Sequence, residues 1–181
     1  MYWFLSDTHF GDDKIINIYN RPFKDTEDME KGLIKNINER VAEDDVLYFL
    51  GDWCMKKSSK YPYGKTFEHY RNQINCKNII FIEGKTHDSN NGTKTNIESI
   101  VIEHGGHRIY LTHNPKFYKK DFEWNFCGHT HGNNGTFQKI GKSIIVDLSV
   151  ENWNYRPVDI NEIKQSYAEW RRKGSKNEKT N

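Results

Sequence analysis

Three short apolar runs, each ended by polar residues, constrain the fold of this chain more than any other feature. They cover residues 2–5, 46–50 and 79–82. Each is continuous in apolar and aromatic side chains, as expected for a strand buried on both faces, and the first two lead into Asp7 and Asp52. Helical patterns separate the runs, so the sequence predicts βαβ units, a mainly parallel sheet and an α/β fold.

The segments around these runs show helical or strand periodicity. Helices are predicted around Ile15, Ile16 and Tyr19, from Asp25 or Thr26 to Val41, from Phe67 to Ile74, and from Asp159 onward. Further strands are predicted over residues 99–103, 108–112, 125–127, 136–140 and 143–148. Glu162 is placed to complete a capping box with Asp159 at the start of the closing helix.

Length and charge limit the classes of protein to consider. The 181 residues suit one compact domain, which we expect over residues 1–173, followed by a basic, disordered tail over residues 174–181. Lys plus Arg number 27 and Asp plus Glu 25, for a formal charge of +2. That balance is far from the strongly basic composition of most nucleic-acid-binding proteins, so a nucleic-acid partner is not indicated, although the tail leaves one open.

The cysteines and the hydropathy pattern bear on location. Cys54, Cys76 and Cys127 form no Cys-x-x-Cys pair, which suits a reducing compartment. We expect Cys54 and Cys127 to be buried as small apolar side chains. No stretch approaches the roughly 20 apolar residues of a membrane span. We therefore expect a soluble, cytoplasmic protein with no membrane partner.

Histidine and aspartate recur at the ends of the predicted strands. They are Asp7, His9, Asp52, His87, His113 and the pair in Gly128-His129-Thr130-His131-Gly132. A strand-end aspartate often caps a helix, and a lone histidine is usually a hydrogen-bonded surface or core residue. Seven such residues at successive strand ends instead favour one shared site, because ligands of open α/β sheets bind at the carboxyl ends of the strands. Imidazole and carboxylate groups bind borderline divalent ions, so the pattern predicts a metal site.

These stretches resemble the sequence blocks of the calcineurin-like metallophosphoesterases, which run Asp-x-His, Gly-Asp, Gly-Asn-His-Asp, His and Gly-His-x-His. The corresponding stretches are Asp7-Thr8-His9, Gly51-Asp52, Gly84-Lys85-Thr86-His87-Asp88, His113 and Gly128-His129-Thr130-His131. The resemblance spans nearly the whole chain. The opening Ser-Asp-Thr-His-Phe-Gly, Arg21-Pro22-Phe23 and Asn154-Tyr155-Arg156-Pro157-Val158 look like a small, single-domain bacterial and phage subgroup. The resemblance implies a β-sandwich of two mixed sheets flanked by helices, with a metal site at strand carboxyl ends.

The resemblance also implies a role for each residue. Asp7, His9 and His131 would hold one divalent ion, His113 and His129 a second, and Asp52 would bridge the two. The ions would be Mn, Fe, Zn, Ni or Co. The implied activity is that of a metal-dependent phosphohydrolase, most specifically a phosphodiesterase that cleaves a nucleotide-type or other small phosphodiester by attack of a metal-bound hydroxide.

One departure from the family pattern concerns the second metal. The family places Asn before the block's histidine, whereas this chain has Thr86 there and one extra residue, Lys85. A hydroxyl is a poorer ligand than an amide oxygen, so we predict that Thr86 leaves the second metal site weakened. The alternative is a catalytically weakened or inactive member of the family that binds a phosphate or nucleotide ligand. Two further features bear on the substrate: Asp12, which would repel an anion, and Arg21, which could reach a phosphate.

The resemblance makes His87 a catalytic residue that donates a proton to the leaving oxygen or stabilises its charge, with Asp88 setting its orientation. We expect His87→Ala to lower turnover more than it lowers metal binding. Hydrolysis of a chromogenic phosphodiester with added Mn²⁺, together with the bound metal content, measures both effects. Parallel losses of metal and turnover would instead make His87 a ligand.

Overall fold

The computed structural model describes residues 1–84 and 97–177, and within them it contains nine strands and four α-helices. The strands are β1 Tyr2–Leu5, β2 Val46–Phe49, β3 Asn78–Phe81, β4 Ser99–His104, β5 His107–Thr112, β6 Trp124–Cys127, β7 Phe137–Ile140, β8 Ser143–Asp147 and β9 Val158–Asp159. The helices are α1 Lys14–Ile18, α2 Thr26–Arg40, α3 Phe67–Arg71 and α4 Ile160–Asn177. A 3₁₀ turn covers Val150–Trp153.

The strands form two mixed sheets. The first has the order β3-β2-β1-β9, with β1, β2 and β3 parallel and β9 antiparallel to β1. The second has the order β4-β5-β6-β8-β7, with a parallel centre of β5, β6 and β8 and antiparallel edge strands. The parallel run of three strands and the sandwich of two mixed sheets are therefore confirmed.

Alternation along β1 explains how the layers pack. Phe4 faces the second sheet, where its ring lies 5.0 Å from that of Phe126, within one buried cluster. Trp3 and Leu5 point the other way and belong to a second buried cluster that contains Leu33 of α2. Because successive strand side chains point to opposite faces, β1 is buried on both, as its apolar sequence predicts.

Two elements differ from the sequence predictions by more than one residue. Helix α3 ends at Arg71, and Ile74, although buried, lies beyond it. The two-residue strand β9 was not predicted, since a pair of residues carries no periodicity. Helix α4 ends at Asn177. Within the described part of the chain, no helix is long and apolar enough to cross a membrane.

The start of α4 tests the capping box. Asp159 Oδ1 accepts a hydrogen bond from Glu162 N at 3.1 Å, and Glu162 Oε2 accepts one from Asp159 N at 3.4 Å. We expect Asp159→Ala to lower the free energy of unfolding by about 0.5–2 kcal/mol, because it leaves helix N–H groups unsatisfied. Urea denaturation measures this loss. The matched control Asp159→Asn keeps an acceptor and should stay near wild type; equal losses would show that the cap contributes nothing.

Candidate metal centre

Irregular pairing beyond β1 and β2 brings the predicted ligands together. The backbone N–H of Asp7 donates to Gly51 O and that of His9 to Asp52 O, both at 3.0 Å. The loops that follow these two strands therefore run side by side past the sheet edge. From the second sheet, Gly128 N donates to His113 O at 2.9 Å, which pairs the loops after β5 and β6.

Six predicted residues form two groups of candidate ligands. Asp7, His9 and His131 make up the first cluster, and Asp52, His113 and His129 the second; within each cluster one ligand atom per residue lies within 4.8 Å of the others. All residues of the first cluster are buried, whereas His129 of the second is exposed. The structure thus brings together the residues that the sequence scatters over more than 120 positions.

The Asp52 carboxylate lies between the two clusters. Its Oδ2 atom is 3.5 Å from His9 Nε2 and 3.6 Å from His113 Nε2. In the first cluster, Asp7 Oδ1 is 3.8 Å from His9 Nε2 and 3.5 Å from His131 Nε2. The imidazole Nε2 atoms and the carboxylate oxygens therefore face one common space.

The Nδ1 side of each of the three buried imidazoles faces an oxygen outside the two clusters. His113 Nδ1 is 2.7 Å from Leu50 O, and His131 Nδ1 is 2.9 Å from Glu151 Oε1. His9 Nδ1 lies 3.7 Å from a carboxylate oxygen of Asp12. An acceptor behind Nδ1 favours the tautomer whose Nε2 lone pair is directed into the centre, which is the usual arrangement of metal-binding histidines.

Five of the six candidate ligands have left-handed backbone conformations. The φ angles are 60° at Asp7, 51° at His9, 56° at Asp52, 73° at His129 and 49° at His131. Residues with side chains rarely adopt this region, at a cost of about 1 kcal/mol or more each, and such strain clusters at functional sites. These left-handed conformations direct the side chains of the candidate ligands toward one another.

Glycines let the chain pass close to both carboxylates. A Cβ atom on Gly128 would lie 2.2 Å from Asp7 Oδ2, and one on Gly84 would lie 2.2 Å from Asp52 Oδ1. Any side chain at either position would push a carboxylate out of place. The first residue of the Gly84–Asp88 block therefore lies directly against Asp52.

The charges of the site favour ionised carboxylates. Burial by itself raises the pKa of Asp7, but the adjacent His9 side chain and the other nearby histidines lower it far below its usual range. Burial likewise lowers the pKa of His9, while hydrogen bonds with Asp12 and Asp52 raise it well above normal.

A divalent cation fits this donor set. Asp7 Oδ1 and His113 Nε2 are buried and have no hydrogen-bond partner among the residues described. Buried polar atoms are rarely left unsatisfied, and a missing ion is one of the standard explanations. Mixed imidazole and carboxylate donors suit Mn, Fe, Co, Ni or Zn.

Several predicted residues lie elsewhere or outside the description. Lys85, Thr86, His87 and Asp88 fall outside the described residues. Arg21 does not face a ligand space: its buried guanidinium donates to Thr8 O and Asp7 O at 2.8 and 2.7 Å. The expectation that Arg21 reaches a phosphate is therefore wrong, because its donors are committed inside the protein.

Asp12 also has a place that the sequence reading did not foresee. It is buried behind His9, with its other oxygen accepting from Lys14 N at 3.0 Å, so it supports a candidate ligand. Cys54 and Cys127 are free and buried, as predicted, and Cys76 is free and buried as well.

Sequence reasoning missed the residues that support the ligands. Ser149 Oγ donates to Asp7 Oδ2 at 3.1 Å, and Asp147 Oδ2 accepts from Gly132 N at 2.9 Å. Glu151 lies behind His131. Asp147 ends β8, and Ser149 and Glu151 follow it. Strand β8 is the one central strand of the second sheet whose end carries no candidate ligand. Their position after an apolar run was the available signal.

A cavity of about 540 Å³ opens beside the second cluster. Its lining includes His113, Asn114, Tyr110, Phe117 and Lys119. Trp53 and Trp153 are buried in the core. The aromatic surface near the candidate ligands therefore comes from the second sheet and the turn after β5.

Comparison with known proteins identifies a related archaeal protein. The chain is 36 % identical over 165 residues to the uncharacterized protein MJ1445 of Methanocaldococcus jannaschii, which covers 89 % of this chain and 88 % of that protein. The chain belongs to the same family as that archaeal protein. No protein-family model matches it.

Among solved structures, the fold matches a protein of unknown function, AQ665 from Aquifex aeolicus. The TM-score is 0.67 at 23 % identity, over 91 % of this chain and 98 % of that one, which shows a shared fold. Weaker likenesses are to a Vps29 mutant from Entamoeba histolytica (TM-score 0.47, 12 % identity, 81 % of this chain and 72 % of that one) and to a predicted phosphoesterase from Streptococcus pneumoniae (TM-score 0.39, 16 % identity, 81 % and 70 %).

Gly128 provides a direct test of the site geometry. We expect Gly128→Ala to displace Asp7 or Ser6, since the added Cβ would lie 2.0 Å from Ser6 Oγ, and to lower the Mn²⁺ content of protein reconstituted with Mn²⁺. The control Gly105→Ala has nothing within 4 Å of the added Cβ, although its φ is 58°. Elemental analysis of both variants measures the difference. Equal metal content in Gly128→Ala and Gly105→Ala would contradict the expectation.

Proposed function

We propose that this chain is a metal-dependent phosphohydrolase that cleaves phosphodiesters of nucleotide type or similar small size, with two divalent ions such as Mn²⁺ as cofactors. The observation that carries the proposal is the position of Asp52 Oδ2 between His9 Nε2 and His113 Nε2, at 3.5 and 3.6 Å. One carboxylate placed between two donor clusters suits two neighbouring ions. The order and spacing of the sequence blocks support the same assignment.

The protein residues would hold the two ions unequally. Asp7, His9 and His131 are the proposed ligands of the first, His113 and His129 of the second, and Asp52 is shared. The first cluster is wholly buried, whereas His129 of the second cluster is exposed. With Thr86 in the place of the family's Asn, these features support a second site of lower affinity.

When bound, two such ions neutralise the charge on phosphoryl oxygens and lower the pKa of a coordinated water. The chain contributes the rest of the site. The cavity beside His113 gives room for the organic group of an ester, with Tyr110 and Phe117 as its aromatic walls. His87 is proposed to protonate the leaving oxygen and Asp88 to orient His87.

Asp52→Asn tests the proposal, because it removes the shared anionic oxygen. Loss of even an outer partner of a metal ligand costs about 10–100-fold, so we expect turnover to fall by about 100-fold or more. Hydrolysis of bis(p-nitrophenyl) phosphate with added Mn²⁺ measures turnover, and elemental analysis measures bound metal. The control Asp121→Asn alters an exposed carboxylate and should leave both unchanged.

Two results would contradict the proposal in different ways. Wild-type protein that retains no metal and has the same activity as Asp52→Asn would contradict the proposed metal centre. Wild-type protein that retains Mn²⁺ and binds inorganic phosphate but hydrolyses no diester with any divalent metal would favour the phosphate-binding alternative.

A further inference from the structure

A buried ion pair lies directly behind the first cluster. The Arg21 guanidinium donates to Glu151 Oε1 through Nε at 2.9 Å and through Nη2 at 2.7 Å. The Arg21 side chain is fully buried and that of Glu151 is 10 % exposed. Neither residue belongs to the proposed donor set. Removing two charges from water costs several kcal/mol per ion, which offsets much of their attraction. Stabilising the fold is therefore a poor explanation for this buried ion pair.

Arg21 connects the pair to the chain segment that carries Asp7. Its Nη2 donates to the main-chain oxygen of Asp7 at 2.7 Å and its Nη1 to that of Thr8 at 2.8 Å. The planar guanidinium makes these bonds and the bond to Glu151 in one rigid geometry, which a lysine cannot reproduce. The residue therefore holds the left-handed turn at Asp7 in a defined place relative to Glu151.

Glu151 connects the pair to His131. Its Oε1 atom lies 2.9 Å from His131 Nδ1, which turns His131 Nε2 toward Asp7 Oδ1 at 3.5 Å. Tyr19 stacks on the face of the same imidazole at 4.0 Å between ring centroids. One carboxylate oxygen thus receives both the guanidinium and the imidazole.

A further contact joins the two segments that carry the pair. Phe23 packs edge-on against Tyr155 at 5.1 Å, and Tyr155 N donates to Val150 O at 2.9 Å, so the 3₁₀ turn with Glu151 is attached to the segment after Arg21. This gives the Arg21-Pro22-Phe23 stretch a physical role. Arg21 donates hydrogen bonds to the Asp7 backbone and to Glu151, and Phe23 packs against Tyr155, which is bonded to the 3₁₀ turn that carries Glu151.

We propose that Arg21 and Glu151 are positioning residues that set the distance and orientation of His131 relative to Asp7, and thereby the affinity of the first cluster for its metal. This inference rests on the proposed metal centre. Glu151 fixes the tautomer and ring orientation of His131, Arg21 fixes Glu151 and the Asp7 backbone together, and neither touches the reacting atoms.

The test is titration of metal-free protein with Mn²⁺ by isothermal titration calorimetry. The proteins compared are wild type, Glu151→Ala, Glu151→Gln and the control Glu162→Gln, which weakens partly exposed ion pairs with Arg40 and Arg156 outside the site. We expect Glu151→Ala to weaken the tighter binding event by about 10–100-fold. Glu151→Gln keeps an acceptor but loses the charge that strengthens the bond, so a smaller loss of about 3–10-fold is expected. Glu162→Gln should bind Mn²⁺ as wild type does.

Each result has a separate meaning. Wild type that binds no Mn²⁺ would overturn the proposed metal centre, whereas wild-type binding matched by Glu151→Gln would overturn the positioning role alone. If Glu151→Ala does not fold, Glu151→Gln decides the question. Thermal unfolding of the metal-free proteins supplies a second readout: a lower melting temperature in Glu151→Gln with unchanged Mn²⁺ affinity would show a purely structural role and overturn the proposal.

Discussion

The burial of two carboxylates, Asp7 and Asp52, is the constraint on which this structure depends. Asp7 is fully buried and Asp52 nearly so, and a charge taken out of water must be compensated by partners. For Asp7 these include the His129 N–H at 2.8 Å and the Ser149 hydroxyl. Imidazoles of His9, His113 and His131 face the two carboxylates. The Arg21 guanidinium holds the backbone behind Asp7. The same environment that makes these anions costly to bury makes them strong ligands for a cation.

The two-sheet architecture explains why compensation and ligands occur in one place. The polar residues of the site lie at the carboxyl ends of five strands, namely β1 and β2 of the first sheet and β5, β6 and β8 of the second. Packing of Phe4 against Phe126 joins the sheets so that these ends meet. The buried core therefore determines the distance between the clusters, and the loops need only a few strained residues and glycines to complete them.

The two clusters differ in how much support they receive. His131 and His9 of the first each have a carboxylate behind Nδ1, from Glu151 and Asp12, whereas His113 of the second has a main-chain carbonyl. Carboxylate partners raise the basicity of an imidazole ligand more than neutral acceptors do. This asymmetry agrees with a tight first site and a weaker second one, which the replacement of Asn by Thr86 also predicts.

The sequence by itself determined the succession of strands β1 to β8 along the chain, most helices, the capping box at Asp159 and the six candidate ligands. These features are visible in local patterns: apolar periodicity, helix-start residues and polar residues at strand ends. It did not reveal β9 or the support of the ligands by Glu151. Two residues have no period, and Glu151 meets Arg21 across 130 positions, so no local pattern could join them. The tertiary structure decided which way each side chain of the motifs points and what stands behind it. Those directions are set by packing between the sheets, by left-handed turns such as that at Asp7, and by buried hydrogen bonds that form only once distant segments are in contact.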